Sequence, residues 1–567
     1  MSRHRVGLTA MMALALAGCT SGPTPAPAPS TSHTPQAGDP VVVSTLALPA
    51  TYDPTDTDDR HATRIAGLLQ RGLFRYDPKG KTVPEVATSV ETTDNRVFRV
   101  TLDPGWQFSN GEPVTADSFV DAWSRAADPA HPKLRRDLFE PIDGFVPSTQ
   151  IDASHRAAAT RPASASAAAS SPQPTAASGA ATGRSSRLRG LTVLDPHTFT
   201  ITLSRPHPGF EQRLGHVAFA PLPDLAFTDP AEFGRRPVGN GPYRLDGAWN
   251  ESGVVRLRPR PGYTAGDPAQ NSGLVFRTYT DPAVALSDVE AGRLDVLDTL
   301  PTEALPTYKS TFGERAVNQP VGQVGGLVFP ITRGPWTGPA GKARRQAISM
   351  AIDRDALAAR VLAGTRDVAT DLAVPLVEGH SQDLCGTVCR LDADTATEAL
   401  QTGGGLSGGL EIGYAADADQ GPVASAICAD VTKNLEIPCT GRAYETTRAL
   451  HEALSSGALT GPALLTRQMD YPLLESFLVP RFTRGALTND SGYGDPVTDA
   501  ALRRAATDPA ERTTRFQAAE QRILADLPVV PLWNGHAVAV CSTGVRDVRY
   551  DVFGSPDYTH ITRPRDK

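Results

Sequence analysis

Lysine is scarce in this chain, with 7 Lys against 48 Arg among 567 residues. Beside so much alanine, that imbalance reads as the composition bias of a GC-rich genome, not as a guanidinium function. An excess of one charge is also missing: 55 basic residues face 62 acidic ones, for a net charge of −7. Aromatics amount to 6%, and no basic run interleaves with them, which argues against a nucleic-acid partner. After the first segment, no stretch approaches the roughly 18 continuous apolar residues of a membrane span. Cysteine is limited to 6 residues and the 12 histidines are scattered, so no metal-ligand spacing repeats and neither a metal nor a cofactor is expected. What remains is 40% apolar, enough for a sizeable core spread over about two to four domains.

The N-terminus carries an address. Arg3, His4 and Arg5 precede an apolar run from Val6 to Ala17, too short to cross a bilayer, which takes about 20 residues, and the right length for a signal-peptide core. It ends in Leu16-Ala17-Gly18-Cys19, which resembles the bacterial lipobox. That resemblance implies cleavage after residue 18 and a lipid on Cys19. The Pro, Ala, Ser and Thr of residues 19–40 then read as a tether holding a soluble body off a membrane. An extracytoplasmic site permits disulfides. Of the remaining cysteines, Cys385/Cys389 and Cys428/Cys439 are the nearest pairs in sequence, though sequence leaves the connectivity and the state of Cys541 open.

Along the body, Val97–Leu102 alternates like a strand, and Thr115 is placed to open a helix carrying Phe119, Val120 and Trp123 on one face. Between Ala153 and Ser186 stand 13 Ala and 8 Ser in 34 residues without a bulky apolar side chain, a composition expected to form a disordered loop inserted within a domain. After it, Gly190–His197 and the alternating Thr198–Leu203 read as two short strands around a turn. Gly239-Asn240-Gly241-Pro242-Tyr243 reads as a glycine turn entering another. Ala343–Leu362 has the apolar spacing of an amphipathic helix. Helix and strand signals alternate to the end, so the fold class is α/β.

Several of these blocks, taken in order, resemble one family. Phe98–Leu102 with Trp106–Phe119 resembles the signature block of the extracellular solute-binding proteins, family 5, the peptide and nickel receptors of bacterial ABC importers. Gln70–Phe74, Val83–Ala87, Val238–Tyr243, Arg345–Arg354 and the stretch from Gly492 to Leu532 resemble further blocks of it. The resemblance implies a two-lobe periplasmic-binding-protein-like fold (type II, with an extra subdomain) that closes on ligand about a hinge cleft. Lobe I would comprise residues 41–90, 190–265 and 510–567, the subdomain 91–189, and lobe II 266–509. The implied partners are a peptide or other small solute, the permease subunits of an ABC transporter, and the membrane through the lipid anchor, with the body monomeric.

In peptide-binding members, an Asp of an Asp-Tyr step in the second lobe receives the peptide ammonium. Arg467-Gln468-Met469-Asp470-Tyr471 stands at the matching place. Asp470 is therefore the expected anchor, with Tyr471, Met469, Arg467 and Phe329 as expected neighbours. Phe329-Pro330 replaces a strand position where the family commonly has Asn. Trp106, Trp249, Trp336 and Trp533 read as core anchors. Two other readings stay open within this fold: a receptor for a nickel chelate, sugar or other non-peptide solute, and a peptide sensor without transport. An enzyme is disfavoured. Gly405-Leu406-Ser407-Gly408-Gly409 fits the nucleophile-elbow pattern, but it follows a helix and precedes a strand, the reverse of a true elbow.

Overall fold

The computed structural model describes residues 38–57, 59–147 and 187–563, and residues from Pro35 onward form one compact unit. The signal peptide, Cys19, most of the tether and the Ala/Ser stretch lie outside the described residues. No helix among the described residues is long and apolar enough to cross a membrane.

An 11-stranded mixed sheet runs through the chain. At one end, β1 (Val41–Thr45) pairs in parallel with β10 (Leu274–Thr278) and β11 (Val296–Leu297). Beyond β10 follow β9 (Val254–Pro259) and β8 (Tyr243–Leu245), both antiparallel. At the other end lie β16 (Ala463–Gln468), β14 (Leu410–Ala415) and β15 (Cys439–Tyr444). Two 13-residue strands join the halves, β12 (Ala316–Val328) and β17 (Val529–Cys541), paired antiparallel along their lengths. Their register shifts between Pro320 and Val324. Proline has no N–H for the ladder, so the regular pairing breaks there.

Two large apolar cores flank this pair. One gathers side chains from Val41 to Val296 with Tyr471, Leu473 and several after Cys541; the other runs from Leu327 to Trp533. The second core holds two disulfides, Cys385–Cys389 and Cys428–Cys439, while Cys541 is a free, buried thiol. Burial pushes that thiol up to about 12.

A separate four-stranded sheet runs β4 (Ala87–Glu91), β5 (Val97–Leu102), β7 (Thr198–Thr202), β6 (Leu191–Asp195). It packs on the helix Ala116–Ala126, whose start is closed by Ser118 Oγ accepting the Thr115 N–H at 3.1 Å.

The β6–β7 hairpin pairs with β5, so residues 191–202 belong to the small sheet. Strands β10 and β11 pair with β1, so the first half of the large sheet extends past residue 265. Phe516, Ala519 and Ile523, on one face of the helix Arg512–Asp526, fill the second core.

The helix expected over Ala343–Leu362 runs from Gly338 to Ala351 and then breaks. Asp353 is the reason: its carboxylate accepts the Ala356 N–H at 2.9 Å and caps a new start. Buried Arg354 then ties the break to Ser349 and to the Pro531 carbonyl. Phe329 and Pro330 lie just past the end of β12, not within a strand.

Candidate functional site

Helix α1 (Arg60–Leu69) is capped by Asp59, whose carboxylate accepts the His61 N–H at 2.6 Å. Ala62, Ile65, Ala66 and Leu69 are buried in the first core, and His61 is buried at the edge of the smaller of two cavities. The opposite face, Arg60, Thr63, Arg64 and Gly67, follows the three-and-four spacing of a helix and lines a cavity of about 770 Å³. The end of β16 supplies Gln468, Met469 and Asp470 to another wall, and the segment from Val548 to Thr559 supplies a third. A second cavity of about 360 Å³ shares Arg60 and Gln468 with the first and reaches Asp417, His451 and Trp533. Both volumes fall in the usual range for small-molecule sites.

Asp470 is 6% exposed on the larger cavity. Its carboxylate already has a cation: Arg135 Nη1 donates to Oδ1 at 2.8 Å. Arg135 is itself held in place, its Nε donating to the Thr57 carbonyl at 2.7 Å. Burial alone would raise the Asp470 carboxyl. The Arg135 guanidinium, with His216, Arg481 and Arg213 farther off, outweighs it and holds the group below the usual carboxylate range. The Gln468 carbonyl beside it accepts from Arg481 Nη2 at 2.7 Å, and burial brings the Arg481 guanidinium down to about 10. Two acceptors suited to an ammonium group are thus both engaged by guanidinium groups of the chain.

The other expected neighbours divide. Met469 lines the larger cavity and packs against Gly322, where a Cβ would overlap its Sδ. Arg467 reaches the smaller cavity but is ion-paired with Asp490, which also bonds His451 Nδ1 at 3.0 Å. Tyr471 is fully buried in the first core, its ring 5.1 Å from the Arg213 guanidinium carbon. Phe329 is fully buried against Trp336 at 4.9 Å and lines neither cavity. Trp106, Trp249, Trp336 and Trp533 are all buried, and Trp533 also faces the smaller cavity.

Sequence reasoning missed Arg135, Arg60 and His216. Arg60 and Arg64, four apart and opposite Ile65 and Leu69, were a readable signal of a charged face. Arg135 carried none, because its partner is 335 residues away.

Beneath the cavity sits a buried charge cluster. Glu475, fully buried, accepts from Arg512 Nη2 at 2.6 Å, lies 3.0 Å from His207 Nε2, and pairs with Arg213. Burial would raise its carboxyl, but these cations hold it well below the usual range. The cluster ties the helix Leu474–Phe482 to residues 207–213 and to Arg512. Among the described residues, no group of three or more His, Cys, Asp or Glu side chains is placed to hold a metal ion.

A two-core α/β body with a ligand-sized cavity at the junction has the architecture of a periplasmic-type binding protein. Residues 81–436 match the family described as bacterial extracellular solute-binding proteins, family 5 Middle, and the chain belongs to that family of non-enzymatic solute receptors. It is 23% identical to the periplasmic murein peptide-binding protein MppA of Escherichia coli over 500 residues, 86% of each chain. The solved structure of the E. coli murein tripeptide binding protein MppA superposes with a TM-score of 0.78 at 20% identity, covering 92% of this chain and 98% of that one. The oligopeptide-binding protein OppA of Bacillus subtilis is 24% identical over 483 residues, 82% of this chain and 81% of its own. Haemophilus influenzae OppA in complex with RPPGFSPFR gives a TM-score of 0.77 at 20% identity, covering 93% of this chain and 100% of that one.

Proposed function

We propose that this protein is a lipid-anchored extracytoplasmic receptor that captures peptides and passes them to an ABC transporter permease. The observation that carries the reading is the 770 Å³ cavity, walled by α1, by the end of β16 and by the 548–559 segment. Kinship with receptors named for oligopeptides and a murein peptide supports peptides as the solute. In this reading the two cores are two lobes, the sheet of β4–β7 is the added subdomain, and β12 with β17 crosses between the lobes. Cys19 carries the anchor. Ligand joins the walls of the cleft and stabilises the closed arrangement. Asp470 receives a peptide amine in exchange for the Arg135 guanidinium. Its chemistry suits that role, since a carboxylate in a dry cleft makes a charge-assisted hydrogen bond of about 1.5–3 kcal/mol.

Native mass spectrometry of the protein lacking residues 1–18, purified from cells without denaturation, tests the reading. A ladder of co-purified peptides is the expected result. A single non-peptide mass would overturn it.

A further inference from the structure

Strands β12 and β16 carry glutamines where they reach the cavities. A carboxamide offers donors and an acceptor but no charge, so it suits a neutral polar group and not an ion. Gln319 of β12 is already engaged, its Nε2 donating to the Tyr550 carbonyl at 3.1 Å. Gln323, further along the same strand, and Gln468 of β16 differ from it. They are direct partners across the antiparallel ladder. Opposite residues of such a pair project from the same face of the sheet, with Cβ atoms about 5 Å apart. Both line the smaller cavity, and Gln468 lines the larger one as well.

Among the described residues, neither side chain has a hydrogen-bond partner, although Gln323 is only 7% exposed and Gln468 Nε2 is buried. Gln323 is laid over Gly535 of β17, where a Cβ would stand 2.7 Å from its Oε1. Any larger residue at 535 would displace the carboxamide. The main chain beside the two glutamines is closed to a ligand. The Gln468 carbonyl accepts from Arg481 Nη2 at 2.7 Å, and the Met469 N–H donates to the Gly322 carbonyl at 2.8 Å. Hydrogen bonding at this end of the ladder is therefore left to the side chains. Polar groups held in a cavity without a partner are unfavourable, and a ligand that supplies both a donor and an acceptor relieves them.

We propose that Gln323 and Gln468 form a carboxamide clamp that binds an amide of the ligand through its N–H and C=O. The clamp rests on reading the cavities as a peptide cleft. In an extended chain the N–H and C=O of one residue point to the same side, which is what lets paired strands exchange both bonds. A carboxamide presents the matching acceptor and donor. Gln468 precedes Asp470 by two residues, about 7 Å at the rise of a strand. A ligand lying extended with its amine at Asp470 brings its second or third residue to the clamp. The amide bound there belongs to the ligand main chain. An Asn or Gln side chain of the ligand offers the same groups, and the test separates the two sources.

The variants are Gln323→Met, Gln468→Met and the double, which keep the side-chain length and remove the amide. Calorimetry uses three pools of random pentapeptides with free amino ends: unmodified, N-methylated at the second and third residues, and made without Asn and Gln. Methylation removes the N–H donor and leaves the terminal amine. Wild type is expected to bind the unmodified pool at least about tenfold tighter than the methylated one, and the double variant to bind the two within about twofold. Because the carboxamides have no partner to lose, the variants should melt at or above the wild-type temperature. A double variant that keeps the methylation preference, or melts several degrees lower, would overturn the clamp. If wild type ignores methylation but binds the pool without Asn and Gln about tenfold more weakly, and the double variant does not, the clamp holds a side-chain amide. If wild type distinguishes none of the pools, the clamp falls while the peptide reading stands. If no pool binds, the peptide reading fails and the clamp falls with it.

Discussion

Replacing Asp470 by Asn removes one charge from a pair that is nearly sealed from water. The side chains are 12% exposed for Arg135 and 6% for Asp470, with donor and acceptor 2.8 Å apart. Breaking a buried pair by removing one member costs about 3–5 kcal/mol, because the other charge stays buried alone. Arg135 keeps its bond to the Thr57 carbonyl, so the lower end, about 3 kcal/mol, is expected. For roughly five hundred ordered residues the unfolding entropy is about 1 kcal/mol per kelvin, and the melting temperature should fall by about 3 °C. The pH dependence has a definite sign. The folded carboxyl lies below its ordinary value of 3.8, so the contribution is fully present above that pH and is lost as pH falls through the folded value. The gap between wild type and Asp470→Asn should therefore be constant from pH 5 to 8 and close below pH 4. A double-mutant cycle with Arg135→Gln, read by differential scanning calorimetry, isolates the pair. A coupling near zero, or an Asn variant as stable as wild type at pH 7, would refute the reasoning. The same variants address function: Arg135→Gln leaves the carboxylate unengaged by that arginine, and amine-bearing peptides should then bind at least as tightly as to wild type.

Glu475→Gln should cost about 3–5 kcal/mol in urea or thermal unfolding, since it removes the carboxylate from buried Arg213 and from the partly exposed Arg512. A loss under 1 kcal/mol would mean the cluster relaxes to reach water. Glu520 behaves in the opposite sense to Asp470. It is fully buried, accepts the Leu372 N–H at 2.8 Å, and burial outweighs its backbone donors and raises it to about 7. A carboxyl raised on folding stabilises fully below its unfolded value of 4.5, and that contribution is lost as pH rises through about 7. Glu520→Gln should accordingly match wild type near pH 5 and exceed it at pH 8 by up to about 3 kcal/mol, measured as melting temperature against pH. Equal curves across that range would show that the carboxyl titrates normally.

Local signals account for what was legible along the chain. The alternation of Val97–Leu102 appears as β5, and the Thr115 start appears as a helix closed by Ser118. The Asp-Tyr step located the end of β16 that reaches the cavity. Where the expectation failed, a long-range partner decided. The hairpin of β6 and β7 joined the small sheet because β5 was there to receive it. Phe329 packs against Trp336 and lines neither cavity. Arg467 lines the smaller cavity while ion-paired with Asp490.

Composition and local pattern were enough, on their own, for the α/β class, while the solute-binding family and the extracytoplasmic address were what the resemblance of the ordered motifs and of the lipobox implied. These rest on neighbours within a few residues, where hydrophobic period, turn chemistry and capping act. Which charges meet one another at the cleft was decided only by the tertiary structure. An ion pair depends on two side chains meeting in a low dielectric, and Arg135 meets Asp470 across 335 residues of chain.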